Sequence, residues 1–207
     1  MKKFLKHFRT AFIFTVAMVV ICGFIYPMVL TGVSQVVFPT QANGSKVEVD
    51  GKAVGTKNVG QDFTDERLFH CRPSAYNYNT YTEEQKEEGE YAGVASGSNN
   101  YANSNPELKK RIEADIESFL KENPTVDKED IPADMITASG SGLDPHISVK
   151  AAEVQLDRVA KNSNISKKEL KKMIKANTNE KVLGVLGEET VNVLTLNLMV
   201  AKEIGMI

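Results

Sequence analysis

A run of 23 uncharged residues, from 11 to 33, is the feature that most constrains this chain. It reads AFIFTVAMVVICGFIYPMVLTGV, and no acidic or basic residue occurs between Arg9 and Lys46. As a helix it would be about 35 Å long, enough to cross a hydrocarbon core of about 30 Å. Lipid offers no hydrogen-bond partners to the backbone, so a helix is the expected form. We therefore predict a transmembrane helix over residues 11–33, with a bend near Phe24–Tyr26 caused by Pro27.

The charges around this run predict its orientation. Four basic residues and no acidic residue lie in residues 1–10, and the first acidic residue of the chain is Glu48. Basic residues close to a span are retained in the cytoplasm. Residues 1–10 are therefore predicted to be a cytoplasmic N-terminus, and residues 34–207 an extracytoplasmic domain of a single-pass cell-membrane protein. The alternative is a cleaved signal peptide, whose apolar core is usually shorter, about 7–15 residues.

Composition excludes several classes of function. Of 25 basic residues, four precede the apolar run, which leaves 21 against 27 acidic residues. This balance argues against nucleic acid as a partner, because phosphates require a basic surface. Cys22 lies inside the predicted span and Cys71 outside it, so no disulfide is expected. The three histidines have no metal-ligand spacing, and we expect no metal site.

The rest of the chain predicts the α/β fold class, namely one mixed α/β domain with small sheets. The pair Asp50-Gly51 lies between two alternating runs and predicts a β-hairpin over residues 47–54. Residues 76–105 predict a long loop excursion, either a functional lid or binding loop or a flexible insertion. Apolar patterns predict short strands over residues 68–72, 131–137 and 182–186. Apolar patterns together with capping residues predict four helices, over residues 106–123, over residues 149–162, from Ser166 onward, and over residues 191–204.

One segment, TASGSGLDPHIS at residues 137–148, carries most of the functional signal. Two glycines separated by a serine allow positive φ and expose N–H groups, which can hold an anion or a carbonyl. Ser141, Asp144 and His146 also raise the possibility of a serine hydrolase. The G-x-S-x-G elbow is absent, however, and a triad requires side chains that converge from different elements. The structural alternative is a tight connection in which Asp144 and Ser148 cap the following helix.

This segment also resembles the signature of the KdpC family, the C chains of Kdp-type potassium-transporting ATPases. The motifs that carry the resemblance follow one another along almost the whole chain. One segment departs from it, since Asn100-Tyr101-Ala102 stands where the family usually has a Leu-Gly-Pro-like sequence. Besides TASGSGLDPHIS, the motifs are Gly60-Gln61-x-Phe63, Arg72-Pro73-Ser74-Ala75, Gly97-Ser98-Asn99, Asn105-Pro106, Ala152 with Gln155, Arg158, Val159 and Ala160, Gly187-Glu188, Val191-Asn192-Val193-Leu194 and Leu196-Asn197-Leu198.

The resemblance implies an accessory subunit of an ATP-driven, high-affinity potassium import pump. Its partners would be a channel-like potassium-conducting subunit, a P-type ATPase subunit, a small membrane peptide and the lipid bilayer. The family is described as a catalytic chaperone that raises the ATP affinity of the ATPase subunit. The chain itself would not be an enzyme, because it has neither a Walker A sequence nor the Asp-Lys-Thr-Gly-Thr sequence of P-type ATPases. No cofactor is expected to bind this chain tightly. The resemblance implies ATP only as a ligand of the assembled complex.

The resemblance also selects candidate site residues. Those expected to affect nucleotide affinity or to contact partners are Ser139, Gly140, Ser141, Gly142, Asp144, His146, Gln155 and Arg158. Further motif residues are Gln61, Arg72, Pro73, Ser74, Ser98, Asn99, Asn192 and Asn197. Three interpretations follow: an outer domain that packs on the potassium-conducting subunit, a domain of inverted topology that touches nucleotide directly, or an anchored extracytoplasmic binding or sensor module.

Overall fold

The computed structural model of the protein describes residues 2–89 and 93–207. The chain forms two compact units, residues 1–46 and residues 47–207. The first is helical and the second is a mixed α/β region with small sheets, which confirms the predicted fold class.

The first unit contains one long apolar helix. Helix α1 covers Lys2–Val20, a π-helical turn covers Ile21–Ile25, and α2 covers Tyr26–Val37. A four-residue helix, α3 (Pro39–Ala42), follows. Residues 3–37 have the length and composition of a membrane span. The most apolar stretch of this helix, 18 residues long, has no residue buried within the protein. The helix is longer than the predicted 11–33, and it fits a single-pass membrane protein.

The π-helical turn lies where the proline effect was predicted. Pro27 has no N–H to donate to the carbonyl four residues earlier, so the regular ladder cannot continue there. At the end of the turn, the Tyr26 N–H donates to the Ile21 carbonyl, five residues back. A proline and a π-helical turn are both common causes of helix irregularity, and here they occur together.

The second unit begins with the predicted hairpin. Strand β1 (Lys46–Val49) pairs with β2 (Lys52–Thr56). The two turn residues, Asp50 and Gly51, have φ values of 50° and 74°. Positive φ at both positions is the signature of the type I′ turn that suits the twist of paired strands.

A second sheet lies in the C-terminal half of this unit. It is antiparallel, in the order β3-β5-β4, with β3 at His146–Ser148, β4 at Thr178–Asn179 and β5 at Thr190–Asn192. Ile147 lies opposite Val191 in the β3–β5 pair, and both are buried. The helices of this unit are α4 (Glu83–Glu87), α5 (Pro106–Glu122), α6 (Val149–Val154), α7 (Leu156–Ser163), α8 (Lys167–Ala176) and α9 (Val193–Glu203).

Helices and sheet enclose one hydrophobic core. Four helices begin at a capping residue, since Asn105, Ser148, Ser166 and Asn192 each accept a hydrogen bond from a first-turn N–H. The caps at Asn105 and Ser166 were predicted, whereas that at Asn192 was not. The buried core residues are Leu68, Phe69, Phe119, Met135, Ile147, Ala151, Ala152, Leu156, Val159, Ile165, Leu170, Met173, Ile174, Val191, Val193, Leu196 and Val200.

The predicted helix over residues 149–162 is interrupted at Gln155, between α6 and α7. The Gln155 side-chain amide donates to the Ala151 carbonyl at 3.0 Å, so it takes the acceptor that a continuous helix would use. The Gln155 backbone N–H donates to the Ala152 carbonyl instead, at 3.3 Å. Competition between side chain and backbone for one carbonyl therefore divides the predicted helix in two.

Three predicted strands were wrong. Residues 68–72 pair with no strand in the described part of the chain, because buried side-chain amides bind the backbone of Phe69 and His70. Residues 131–137 contain a 3₁₀ turn, Ala133–Met135, directly after Pro132, which has no N–H for a sheet ladder. Residues 182–186 form a tight turn closed by a single antiparallel bridge between Val182 and Leu186.

Residues 76–105 are more ordered than a simple loop excursion. Asn77, Tyr78 and Asn79 form a left-handed turn, with φ values of 45°, 50° and 56°. The Asn79 side chain both donates to and accepts from the Ala95 backbone, which ties the two arms of the segment together. Helix α4 lies between these arms, and residues 90–92 of the segment lie outside the described part of the chain.

Candidate functional site

The segment 137–148 is a junction at which several loops are hydrogen-bonded; we call it the glycine-serine junction. The Ser141 carbonyl accepts the Gly97 N–H at 2.7 Å and the Ser96 hydroxyl at 3.0 Å. One residue on, the Gly142 carbonyl accepts the Ser74 hydroxyl at 2.6 Å. The junction therefore holds the loops before and after α4 against the same short stretch of backbone.

The two glycines of the junction have different surroundings. Gly142 has a φ of +66°, and a Cβ atom added to it would lie 2.6 Å from the Gly97 carbonyl oxygen. Gly140 has no positive φ, and a Cβ atom there would meet nothing within 4 Å. Position 142 thus requires glycine, because the backbone of Gly97 approaches it closely and its φ is positive. Gly140 lies at the exposed tip of the junction, where a side chain could fit.

Tyr78 connects the junction to the Arg72 loop. Its hydroxyl donates to the Arg72 carbonyl at 2.8 Å and lies 3.4 Å from the Asp144 carbonyl. Its ring packs against Gly60 so closely that a Cβ atom on Gly60 would lie 2.4 Å from it. Gly60 in turn donates its N–H to the Leu143 carbonyl. Sequence reasoning missed Tyr78, although the flanking asparagines, which tolerate positive φ, were a signal for its left-handed turn.

Asp144 organises the end of the junction. It accepts the His146 N–H at 3.0 Å, lies 3.3 Å from the His146 ring, and pairs with Arg72 at 3.3 Å. The hydrogen bond with the His146 side chain, aided by the positive charge of Arg72, lowers the pKa of the Asp144 carboxyl. Asp144 does not cap the next helix as predicted, because its carboxylate is used at His146; Ser148 alone caps α6.

The side chains of the junction do not form a hydrolase triad. The His146 ring nitrogens lie near Asp144 (3.3 Å) and Asn192 (3.4 Å). The Ser141 hydroxyl accepts the Leu143 N–H at 3.1 Å and lies 3.3 Å from Ser139. A nucleophile and its base must share a hydrogen bond, and none joins these two side chains among the described residues.

A second group of polar residues lies under the segment 68–71; we call it the amide clamp. Asn197 accepts the Phe69 N–H and donates to the Phe69 carbonyl, both at 2.8 Å. In the same way, Gln155 accepts the His70 N–H at 2.8 Å and donates to the His70 carbonyl at 3.2 Å. Both amides are buried. Two side-chain carboxamides therefore bind the backbone groups that a neighbouring strand would otherwise pair with. The segment 68–72 can thus be extended and buried without belonging to a sheet.

Arg158 completes the amide clamp. Its buried guanidinium donates to the carbonyls of Glu66 and Leu68 at 2.8 and 2.9 Å, and to the side chains of Asn123 and Gln155 at 3.1 and 2.7 Å. Burial lowers the pKa of Arg158, because the low-dielectric surroundings disfavour the charge. All four acceptors belong to the same domain as Arg158, so this side chain connects parts of the domain to one another.

A cleft of about 440 Å³ lies beside the amide clamp, lined by residues that include Asp62, His70, Arg72, Asp115 and Glu122. Burial raises the pKa of Asp62 and of Asp115. The pKa of Glu122 is lowered instead, because its carboxylate shares a hydrogen bond with the His70 ring at 3.2 Å. Within residues 2–89 and 93–207, no group of three or more His, Cys, Asp or Glu side chains could hold a metal ion.

The remaining predicted residues lie around these two groups. Asn192 donates to the Lys57 carbonyl at 2.8 Å, and Gln61 donates to the Val54 carbonyl at 2.7 Å. Pro73 lines the cleft. Ser98 and Asn99 line a small cavity together with the first residues of the junction. The structure thus brings the motif residues together in one domain, where most of them hold its loops.

Comparison with known proteins finds one family, and the relatives named below all belong to it. The family described as "KdpC: K+-transporting ATPase, c chain" matches residues 8–202. The potassium-transporting ATPase KdpC subunit of Clostridium kluyveri is 55% identical over 100% of this chain and 98% of its own length. The corresponding subunit of Clostridioides difficile is 52% identical over 98% and 100%. That of Caldanaerobacter subterraneus is 47% identical over 92% of each chain.

Proposed function

The chain belongs to the KdpC family of K+-transporting ATPase c chains, and we propose that it is a non-catalytic subunit that stabilises the pump and raises the ATP affinity of the ATPase subunit. One observation carries this proposal. Two of the residues expected to affect nucleotide affinity, Gln155 and Arg158, are buried and bonded to their own domain. A domain in which the Gln155 and Arg158 side chains already bind groups of the domain itself is suited to packing on neighbours rather than to chemistry.

The proposed partners are a channel-like potassium-conducting subunit, a P-type ATPase subunit, a small membrane peptide and the surrounding bilayer. The N-terminus is proposed to be cytoplasmic and the second unit extracytoplasmic. The basic residues ahead of the apolar helix support this orientation. An extracytoplasmic domain cannot meet cellular ATP, so its effect on ATP affinity would be transmitted through the partner subunits as a coupling free energy.

Thiol labelling tests the orientation. Gly140 is exposed and has open space for a side chain, so Gly140→Cys is a suitable reporter once Cys22 and Cys71 have been replaced. A membrane-impermeant maleimide is expected to label this variant on intact cells. The matched control is His7→Cys at the N-terminus, which should be labelled only after lysis. The opposite pattern would place the domain in the cytosol and favour direct nucleotide contact.

A sensor or binding module is the second candidate, favoured by the acidic cleft beside the amide clamp. Co-purification separates the two functions. An accessory subunit is expected to co-purify with the potassium-conducting subunit and to disappear from membranes when that subunit is deleted. A chain that persists at its normal level without the pump would support the sensor function instead.

A further inference from the structure

The hydrogen-bond ladder of the apolar helix is interrupted at its π-helical turn. In a regular α-helix the Cys22 carbonyl accepts the Tyr26 N–H, but that N–H donates to the Ile21 carbonyl here. The next residue along the chain is Pro27, which has no N–H to offer in its place. Pro27 is also the residue that would serve the Gly23 carbonyl in a regular helix. The carbonyls of Cys22 and Gly23 therefore both lose the donors that a regular helix supplies.

These two carbonyls lie at the middle of the span. Residue 22 is the midpoint of the uncharged run 11–33, so about 16 Å of helix separates it from either end of that run. At this depth there is no bulk water, and lipid chains have no hydrogen-bond donor. A backbone carbonyl left unpaired in hydrocarbon is costly, and such groups are tolerated where a neighbouring helix satisfies them. The interruption therefore requires a donor from outside the helix.

The backbone at this turn is open to a neighbouring helix. The Cys22 side chain is exposed, as are all residues from 21 to 30. Among the described residues, a Cβ atom added to Gly23 would meet only a methyl group of Val19, at 4.0 Å. Small residues let the backbones of two membrane helices approach closely, so that a side chain on one helix can reach a carbonyl of the other. Gly23 provides such an approach beside the Cys22 carbonyl.

The missing donors indicate what kind of partner fits at the turn. Lipid offers no donor at this depth. A second copy of this chain offers few, because residues 10–34 contain no Asn, Gln, Lys, Arg, His or Trp. Near the turn, that copy would bring the Cys22 thiol, a weak donor, and a single hydroxyl, that of Tyr26, for two carbonyls. The chain belongs to a family of ATPase c chains, so a membrane helix of a different subunit is the source that fits both carbonyls.

We propose that the π-helical turn is the docking site for a polar side chain, a hydroxyl, amide or ammonium group that a membrane helix of another pump subunit brings to the Cys22 and Gly23 carbonyls. This inference rests on the proposed accessory function and adds the contact that sets the depth and rotation of the span. A hydrogen bond between membrane helices contributes modestly to affinity. It forms at one register only, however, because carbonyls within the flanking helices α1 and α2 have helical donors of their own.

Isotope-edited infrared spectroscopy tests the hydrogen bond directly. The Cys22 carbonyl of the full-length chain is labelled with heavy carbon and oxygen, and its amide I band is compared in lipid bilayers before and after assembly with the pump. We expect the band to move to lower wavenumber on assembly, because accepting a hydrogen bond weakens the C=O bond. The matched control is a label at Gly32, an exposed glycine within α2 whose carbonyl has the Val36 N–H four residues ahead. Its band should not move.

Pro27→Ala supplies the missing N–H within the chain. The helix can then be regular, so the Cys22 band should already lie at the lower wavenumber in the isolated chain and should not move on assembly. The affinity of the variant for the rest of the pump should fall by about threefold to fifteenfold, because the donor of the other subunit loses its acceptor. The matched control is Pro39→Ala, at the first residue of α3, where a missing N–H has no helical acceptor in any case, and affinity should be unchanged. A change of helix shape alone would lower affinity without moving the band.

The outcomes separate the two proposals. If the wild-type chain assembles with the pump but the Cys22 band does not move, the docking site is refuted and the accessory function stands. If the wild-type chain does not assemble at all, both proposals fail. A band already at the lower wavenumber in the dilute isolated chain would mean that water serves the carbonyl. A band that moves as the isolated chain is concentrated, but not in Tyr26→Phe, would mean that a second copy does; either result overturns the assignment.

Discussion

At the scale of single residues, Gly140 and Gly142 lie two positions apart and make different demands on the backbone. We expect Gly142→Ala to lower the free energy of unfolding by about 2 kcal/mol or more, because alanine is strained at positive φ and its Cβ would collide with the Gly97 carbonyl. Gly140→Ala is the control and should change it by less than about 0.5 kcal/mol. Denaturant unfolding of the purified chain measures both. Equal effects would mean that the junction does not depend on this close approach.

Asp144 predicts how the protein responds to acid. Its pKa is lower in the folded protein than the usual 3.8, so the ionised carboxylate stabilises the fold. That contribution is fully present above the unfolded-state pKa and is lost as pH falls through the lowered, folded-state value. Asp144→Asn should therefore be less stable than wild type near neutral pH, and the difference should shrink below pH 3.8. Thermal unfolding across this range measures it, with exposed Glu117→Gln as the control; a difference independent of pH would contradict the assignment.

At the scale of secondary-structure elements, local chemistry made some of them predictable. The hairpin at Asp50-Gly51 and the starts of α5 and α8 follow from one or two residues each, because turns and caps are satisfied locally. The segment 68–72 was not predictable in the same way. Its apolar residues before Pro73 resemble a short strand, but its hydrogen-bond partners are side chains more than eighty residues away. A short apolar run does not report what pairs with the backbone.

The candidate site divides along the same line. Motif resemblance selected Gln155 and Arg158 as candidates for nucleotide affinity or partner contact and Asn197 as a further motif residue, but it could not show that all three side chains are buried and bind groups of their own domain. Tyr78 and Asn123 carry no motif signal of that kind. Their importance comes from three-dimensional contacts with Asp144 and Arg158 that no local spacing encodes.

The amide clamp yields a prediction about one extended segment. Asn197→Asp keeps the shape of the side chain but removes the N–H that donates to the Phe69 carbonyl and buries a carboxylate. We expect the free energy of unfolding to fall by about 2–4 kcal/mol. Hydrogen exchange at the amides of Phe69 and His70 should accelerate more than exchange in α5. The control is Asn162→Asp, at a half-buried residue whose side chain makes one weak hydrogen bond, at 3.4 Å. Uniform acceleration across the domain would argue against a local clamp.

At the scale of the whole molecule, the proposed effect on ATP affinity is constrained by thermodynamic linkage. If this subunit raises the affinity of the assembled pump for ATP by some factor, then ATP must raise the affinity of the pump for this subunit by the same factor. The relation holds even when the two sites lie on opposite sides of a membrane, because it depends only on the free energies of the four binding states.

Nucleotide binding to the isolated chain separates transmitted coupling from direct nucleotide contact, because the reciprocity itself holds for either mechanism. We expect the isolated chain to bind no nucleotide, because the side chains of Gln155 and Arg158 are fully used within the domain. A non-hydrolysable ATP analogue should nevertheless slow dissociation of the chain from the pump, and the change in affinity should equal the change in nucleotide affinity caused by the chain. Nucleotide binding by the isolated chain would contradict transmitted coupling and favour direct contact. An analogue that leaves the affinity of the pump for the chain unchanged would contradict any effect of the chain on nucleotide affinity, because the two effects must be equal.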